Sequence, residues 1–103
     1  MLIVTANEIS GKNIQCLGLV QGSVVMTKHI GRDIAAGFKS LAGGEIKGYT
    51  ELMNEARTIS TQRMSEHAKS LGADAVIAVR FSTCSVMGGA SEVMAYGTAV
   101  KFK

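Results

Sequence analysis

The sequence predicts an α+β domain in two layers, one long helix on a mainly antiparallel sheet. Three observations carry that expectation. An apolar stripe at helical spacing runs from Tyr49 to Leu71. Two strand-like runs, DAVIAVRFSTCSV and EVMAYGTAVKFK, follow it with a glycine pair between them. A long, nearly unbroken apolar run, IQCLGLVQGSVVM, precedes it. At 103 residues the chain fits a single domain, residues 1–103.

Taken in order, Leu2 to Thr5 reads as a short strand at a sheet edge, and Asn7 to Asn13 as a turn. Ile14 to Met26 reads as a long strand bent at Gly18 and Gly22, since a glycine inside a strand marks a bulge or a close backbone approach. Asp33 can cap a short helix carrying Ile34, Phe38 and Leu41, which Gly43-Gly44 stops. The long helix runs from Ile46 to Leu71, roughly 39 Å at ~1.5 Å per residue. Tyr49, Leu52, Met53, Ala56, Ile59, Met64, Ala68 and Leu71 form its buried stripe. Glu45 suits its positive end, Lys69 its negative end, and Gly72 the left-handed residue that closes it.

In the strand that follows, strict alternation puts Ala75, Ile77, Val79 and Phe81 on one face, and Val76, Ala78, Arg80, Ser82 and Cys84 on the other. Gly88-Gly89 suits a hairpin turn, and Glu92 to Lys103 returns as the last strand. One helix covers one face of such a sheet. Val20 and Val76 are then left on the far face, and a symmetric homo-oligomer is the simplest cover. The composition points the same way: 47% of residues are hydrophobic and 18% charged, against ~25% charged in an average domain.

Charge and composition also exclude classes. The net charge of +3 is not gathered into a stripe, and aromatics are only 5%, so neither the electrostatic nor the stacking footprint of nucleic-acid binding is present. No apolar run approaches the ~18 residues of a membrane span, and no basic-then-apolar leader precedes Asn7. A cytoplasmic protein with free thiols is expected.

Beyond these readings, several segments resemble the YbjQ-like family: GLVQG at 18–22, GRDIAAGFKSLAGGE at 31–45, YTELMNEAR at 49–57, LGADAVIAVRF at 71–81 and GTAV at 97–100. These are small prokaryotic proteins labelled heavy-metal-binding. The match covers nearly the whole chain in order. The helix segment ARTISTQRM is less alanine-rich than the family's pattern. The resemblance implies a dodecin-like β-α-β-β core with a short helix and an extra terminal strand, assembled as a homopentameric ring. It implies no reaction.

For chemistry, Cys16, Cys84, His29 and His67 are the candidate donors of a metal site, and none forms the paired C-x-x-C spacing of structural zinc. If Leu17 and Leu19 face the helix, Cys16, Gly18 and Val20 face away. If Ile77, Val79 and Phe81 face the helix, Arg80, Ser82 and Cys84 face away. Both thiols would then share one sheet face, where thiols of neighbouring subunits could converge on a soft metal or metalloid ion. Arg80 on that face would favour a thiolate. The plainer reading makes Cys16 a small buried hydrophobe and Cys84 a strand residue near the hairpin.

His67 reads as an ordinary helix residue, because SEHAKS is not H-E-x-x-H. His29 reads as a solvated turn residue, and Met87 and Met94 as gap-fillers or interface residues. GLVQGS and LAGGEIKGYT match neither dinucleotide nor P-loop spacing. Glu51 and Glu55 sit on the solvent side of the helix, with no nucleophile, base and orienting group to act with, so no enzyme is expected. Two readings remain: a homo-oligomer binding a soft metal or metalloid through Cys16 and Cys84, or a ring-shaped scaffold or small-molecule-binding oligomer with incidental thiols, its ligand lying between subunits on the face of Arg80, Ser82 and Tyr96.

Overall fold

A computed structural model describes residues 1–27 and 47–103. It contains β1 (Leu2–Ile3), β2 (Ile14–Thr27), α1 (Lys47–Ser70), β3 (Ala75–Met87) and β4 (Ala90–Phe102). The strands form one mixed sheet in the order β1-β3-β4-β2. β3 and β4 make an antiparallel hairpin, β2 runs antiparallel to β4, and β1 adds to the outer edge of β3 in parallel. The α+β class and the two layers are as the sequence predicts, with the parallel β1 pairing added. The short helix expected near Asp33, together with His29 and Glu45, lies outside the described residues.

α1 ends where Gly72 stands. Gly72 adopts φ +79°, its N–H donates to the Lys69 carbonyl at 3.0 Å, and the N–H of Ala73 donates to the Ala68 carbonyl at 3.1 Å. This 5→2 and 6→1 pair is the Schellman arrangement, which satisfies carbonyls the last turn leaves free.

The helix lies over β2 and β4 and touches β3 little. Its closest approach is at Gly22. A Cβ there would sit 2.5 Å from the Ser60 carbonyl oxygen, and nearer still to the Met64 nitrogen. Only a residue without a side chain permits that docking. Ser60 is fully buried at the contact, its hydroxyl donating to the Arg57 carbonyl at 3.1 Å. The buried stripe therefore runs through Ala56, Ser60, Met64 and Ala68, while Tyr49 and Leu71 are exposed.

Two irregularities decide which side chains reach that core. Gly18 adopts φ +133° at a bulge between Cys16 and Gly18. Ala78 adopts φ +54° at an irregularity between Ile77 and Arg80. Each shifts the alternation by one residue, and a one-residue shift exchanges the two faces. Leu17 keeps its place toward the helix, but Leu19 turns out to solvent, 67% exposed, and Val20 turns in. Val76 and Val79 both pack beneath α1, with Val20, Met64, Ala68, Ala95 and Ala99. Val24, Ala56 and Val93 continue that core toward the hairpin. The expectation that Val20 and Val76 lie on the far face is thus corrected, as is the placing of Leu19 and Ile77 under the helix.

Ile77 belongs instead to a second core on the opposite face. Ala75, Ile77 and Val100 are buried there against Val4, Ile9, Ile14 and Phe102. The segment after β1 folds back over the sheet, held by Val79 N–H to the Val4 carbonyl (3.1 Å) and Ala78 N–H to the Ala6 carbonyl (2.9 Å). So the chain covers one end of its own far face. Toward the other end every residue of β3 from Arg80 to Met87 is exposed, and no described segment covers the far face there. The radius of gyration of 16.8 Å exceeds the ~13 Å of a compact chain this size.

Candidate functional site

Three cross-strand rows make up the open half of the far face. Gly22 and Val24 face α1, so Gln21, Ser23 and Val25 point away from it. The register aligns Gln21 with Tyr96 and Arg80, then Ser23 with Met94 and Ser82, then Val25 with Glu92 and Cys84. The proposed ligand-face residues Arg80, Ser82 and Tyr96 therefore stand on adjacent rows, with Cys84 on the next.

Cys84 and Cys16 are both exposed free thiols on this face. Cys16 is not the buried filler of the plainer reading. The strand alternation reaches this shared face in β3 because the irregularity at Ala78 precedes Arg80, and in β2 because the bulge follows Cys16. The two thiols do not meet. Cys16 pairs with Val100 and Cys84 with Glu92, eight steps along β4 (100 − 92), or about 26 Å at ~3.3 Å per residue. No ion can be shared between them within one chain.

What Cys84 does meet is Glu92. Its Sγ lies 3.9 Å from Glu92 Oε1, a loose contact that brings a sulfur and a carboxylate side by side. Met94 occupies the neighbouring row on the same face. No group of three or more His, Cys, Asp or Glu residues gathers at one point among the described residues. A thiol with one carboxylate provides two donors of the four that a tetrahedral soft-metal site uses. Glu92 was not legible as a partner, because the pairing depends on the hairpin register, which a two-residue turn and a nearby irregularity between Ser85 and Met87 set together.

Arg80 is turned elsewhere. Its guanidinium donates to the carbonyls of Thr5 (3.0 Å) and Val79 (2.9 Å), and its backbone stands four residues from that of Cys84, about 13 Å along β3 at ~3.3 Å per residue. It ties the N-terminal segment to the sheet and does not sit beside the thiol, which corrects the expected thiol–arginine pairing.

His67 has a role its sequence context did not suggest. The N–H of Gln21 donates to His67 Nδ1 at 3.3 Å, which requires that nitrogen to be unprotonated. One turn earlier, Arg63 donates to the Ser23 carbonyl at 2.7 Å. Helix side chains thus take up backbone groups on the outer edge of β2.

Residues 1–103 match the YbjQ family, whose description reads "Putative heavy-metal-binding". Among curated relatives, a "UPF0145 protein" of Thermotoga maritima is 57% identical over 100% of this chain and 98% of its own length. Another of that name from Thermosipho africanus is 58% identical over 100% of this chain and 96% of its own, and one from Vibrio campbellii 56% identical over 98% of both. A crystal structure of a protein of unknown function from Pediococcus pentosaceus, of the DUF74 family, is similar with a TM-score of 0.70 at 19% identity, covering 100% of this chain and 98% of that one. The chain belongs to the YbjQ family, and the solved structure shares its fold.

Proposed function

We propose that this chain is a homo-oligomeric binding protein that takes a soft metal or metalloid ion through cysteine thiolates supplied by more than one subunit. The observation that carries this reading is the pair of exposed thiols on one open face, about 26 Å apart within one chain by strand spacing. Among the described residues neither thiol has the further donors of a metal site, which a second copy would supply, and Cys84 already has Glu92 beside it. Thiolates favour soft ions such as Cu(I) or Cd(II). The family description supports the metal, and the resemblance supports a pentameric ring. In this reading the chain catalyses no reaction and binds neither nucleic acid nor membrane; no helix among the described residues is long and apolar enough to cross a bilayer.

The test is a titration of untagged protein with Cd(II) and Cu(I), with thiol counting before and after. Wild type is expected to bind with loss of titratable thiol. Cys84→Ser is expected to weaken binding more than Cys16→Ser, because among the described residues Cys84 alone has a second donor beside it. A Cys16→Ser, Cys84→Ser double variant with unchanged stoichiometry would falsify the reading and leave the scaffold or small-molecule alternative, for which the adjacent Arg80, Ser82 and Tyr96 provide the polar face.

A further inference from the structure

We propose that the outer edge of β2 is closed by a proton-operated latch, in which His67 holds the Gln21 amide while its ring is neutral and releases it when the ring is protonated.

β2 is an outer strand of the sheet, so the backbone groups it turns away from β4 have no strand to bond. Side chains of α1 take two of them. Gln21 N–H donates to His67 Nδ1 at 3.3 Å, and Arg63 donates to the Ser23 carbonyl at 2.7 Å. Positions 21 and 23 share the outward phase of the strand, while Gly22 between them turns its N–H toward its partner strand β4. Arg63 and His67 stand one helical turn apart, so α1 clasps two successive outward positions.

The two clasps differ in chemistry. A guanidinium keeps its charge and all its donors at ordinary pH, so the Arg63 bond does not respond to a change in pH. An imidazole changes charge between about pH 5 and 8. When neutral with Nδ1 accepting, it carries its proton on Nε2; when protonated, both ring nitrogens donate and neither accepts. Gln21 N–H and Nδ1–H would then confront each other as two donors, and the bond is lost. His67 and Gln21 are both exposed, so the proton arrives from solvent without prior opening of the fold.

Neither strand beneath α1 offers a charge that would hold the imidazolium in place. β2 has no charged side chain, and its one titratable group, Cys16, lies five residues before Gln21. The β4 residues paired with positions 20 to 23 are Gly97, Tyr96, Ala95 and Met94; Tyr96 is on the far face, away from the helix. β3 meets α1 through Val76 and Val79, and the N-terminal residue reaches it only at Ser65, whose hydroxyl contacts Met1 Sδ at 3.8 Å. Among the described residues, the charges near the ring are therefore those of its own helix: Arg63 one turn before it, with Glu66 and Lys69 beside it. A charged ring adds a second cation one turn from Arg63, an unfavourable pairing. The helix itself tolerates that charge, because His67 and Lys69 stand in its last turn, where the negative end accommodates cations. Protonation thus undoes the clasp and leaves the helix.

The test is amide exchange on the full chain at about pH 7.5 and about pH 5, each rate divided by the free-peptide rate at the same pH. In wild type the protection of Gln21 N–H is expected to fall about threefold to tenfold at the lower pH, the worth of one exposed hydrogen bond, while that of Gly22 N–H is unchanged. His67→Asn puts a carbonyl oxygen where Nδ1 stands and does not titrate, so its Gln21 protection is expected to be the same at both pH values. His67→Leu is expected to show the low protection at both. Equal Gln21 protection at the two pH values in wild type overturns the latch, and so does a fall that persists in either variant.

Discussion

The two long outer strands of this sheet are nearly equal in length and end up in opposite conditions. β2 is closed along its middle: α1 lies directly on Gly22, Arg63 takes the Ser23 carbonyl, and His67 takes the Gln21 amide. β3 is closed by β1 only up to Val79, and beyond it every residue to Met87 is exposed, with no partner on its outer edge among the described residues. Strand propensity does not separate them, since both are rich in valine and threonine or serine. The separation comes from where the helix lies, and Gly22 fixes that. Without a side chain at this position the helix backbone reaches the strand, and its side chains wrap the edge. Among the described residues nothing comparable reaches the outer edge of β3 beyond Val79.

The largest way to break this contrast is Gly22→Val. The new atoms would meet helix backbone at Ser60, Arg63 and Met64, which no rotamer change relieves. Loss of the folded state is expected, beyond the ~1–3 kcal/mol of ordinary overpacking, seen as absence of a cooperative transition in urea.

Next in size is a matched pair of truncations. Met64 is the largest of the fully buried side chains and Phe81, though bulkier, is 46% exposed. Met64→Ala is expected to cost about 3 kcal/mol through its cavity. Phe81→Ala is expected to cost the subunit's own folding under about 1 kcal/mol, because most of what it could bury is not buried within one chain. Under conditions that keep the chain monomeric, urea midpoints give both; equal losses would show that the open flank carries its own core.

The elements were legible in the sequence where one residue determines them. Gly72 ended the helix because only a residue tolerant of positive φ closes it that way. Gly18 and Gly22 were both marked as a bulge or a close approach, and the structure makes one of each. Facing was less legible. Alternation read straight through Cys16–Val20 and Ile77–Arg80 put Leu19 and Ile77 beneath the helix, and each irregularity moved them off it. Gly18 at least advertises a bulge; Ala78 does not, because an alanine at positive φ is held by its surroundings, the carbonyl of Ala6 among them. The shared face of the two thiols was legible, yet their separation was not, since that depends on pairing each with a residue of β4 distant in sequence.

A smaller effect probes how tightly the β2 edge is sealed. Arg63→Met and His67→Leu each remove one hydrogen bond at an exposed position, with a net value of about 1 kcal/mol at most. The double variant is expected to lose about 1–2 kcal/mol in urea and to speed exchange of the Gln21 amide while amides bonded to β4 are unchanged. If the Gln21 amide stays protected, the helix backbone alone shields this edge.

The smallest expected change falls where β3 passes from covered to bare. Ala78 sits there at φ +54°, a conformation costing a non-glycine residue about 1–2 kcal/mol. Glycine would relieve that cost, and would lose part of the gain to a freer unfolded chain and to the methyl contact with the second core. Ala78→Gly is therefore expected to lie within about 0.5 kcal/mol of wild type. Ala75→Gly, three residues earlier in the same strand and fully buried in regular conformation, is expected to cost about 1–2 kcal/mol. Equal losses at the two positions would mean that Ala78 is not strained. The reversal of faces after Ile77, which turns Arg80, Ser82 and Cys84 to the open side, would then be as stable locally as plain strand, with no contribution needed from the Ala6 and Val4 carbonyls that hold it.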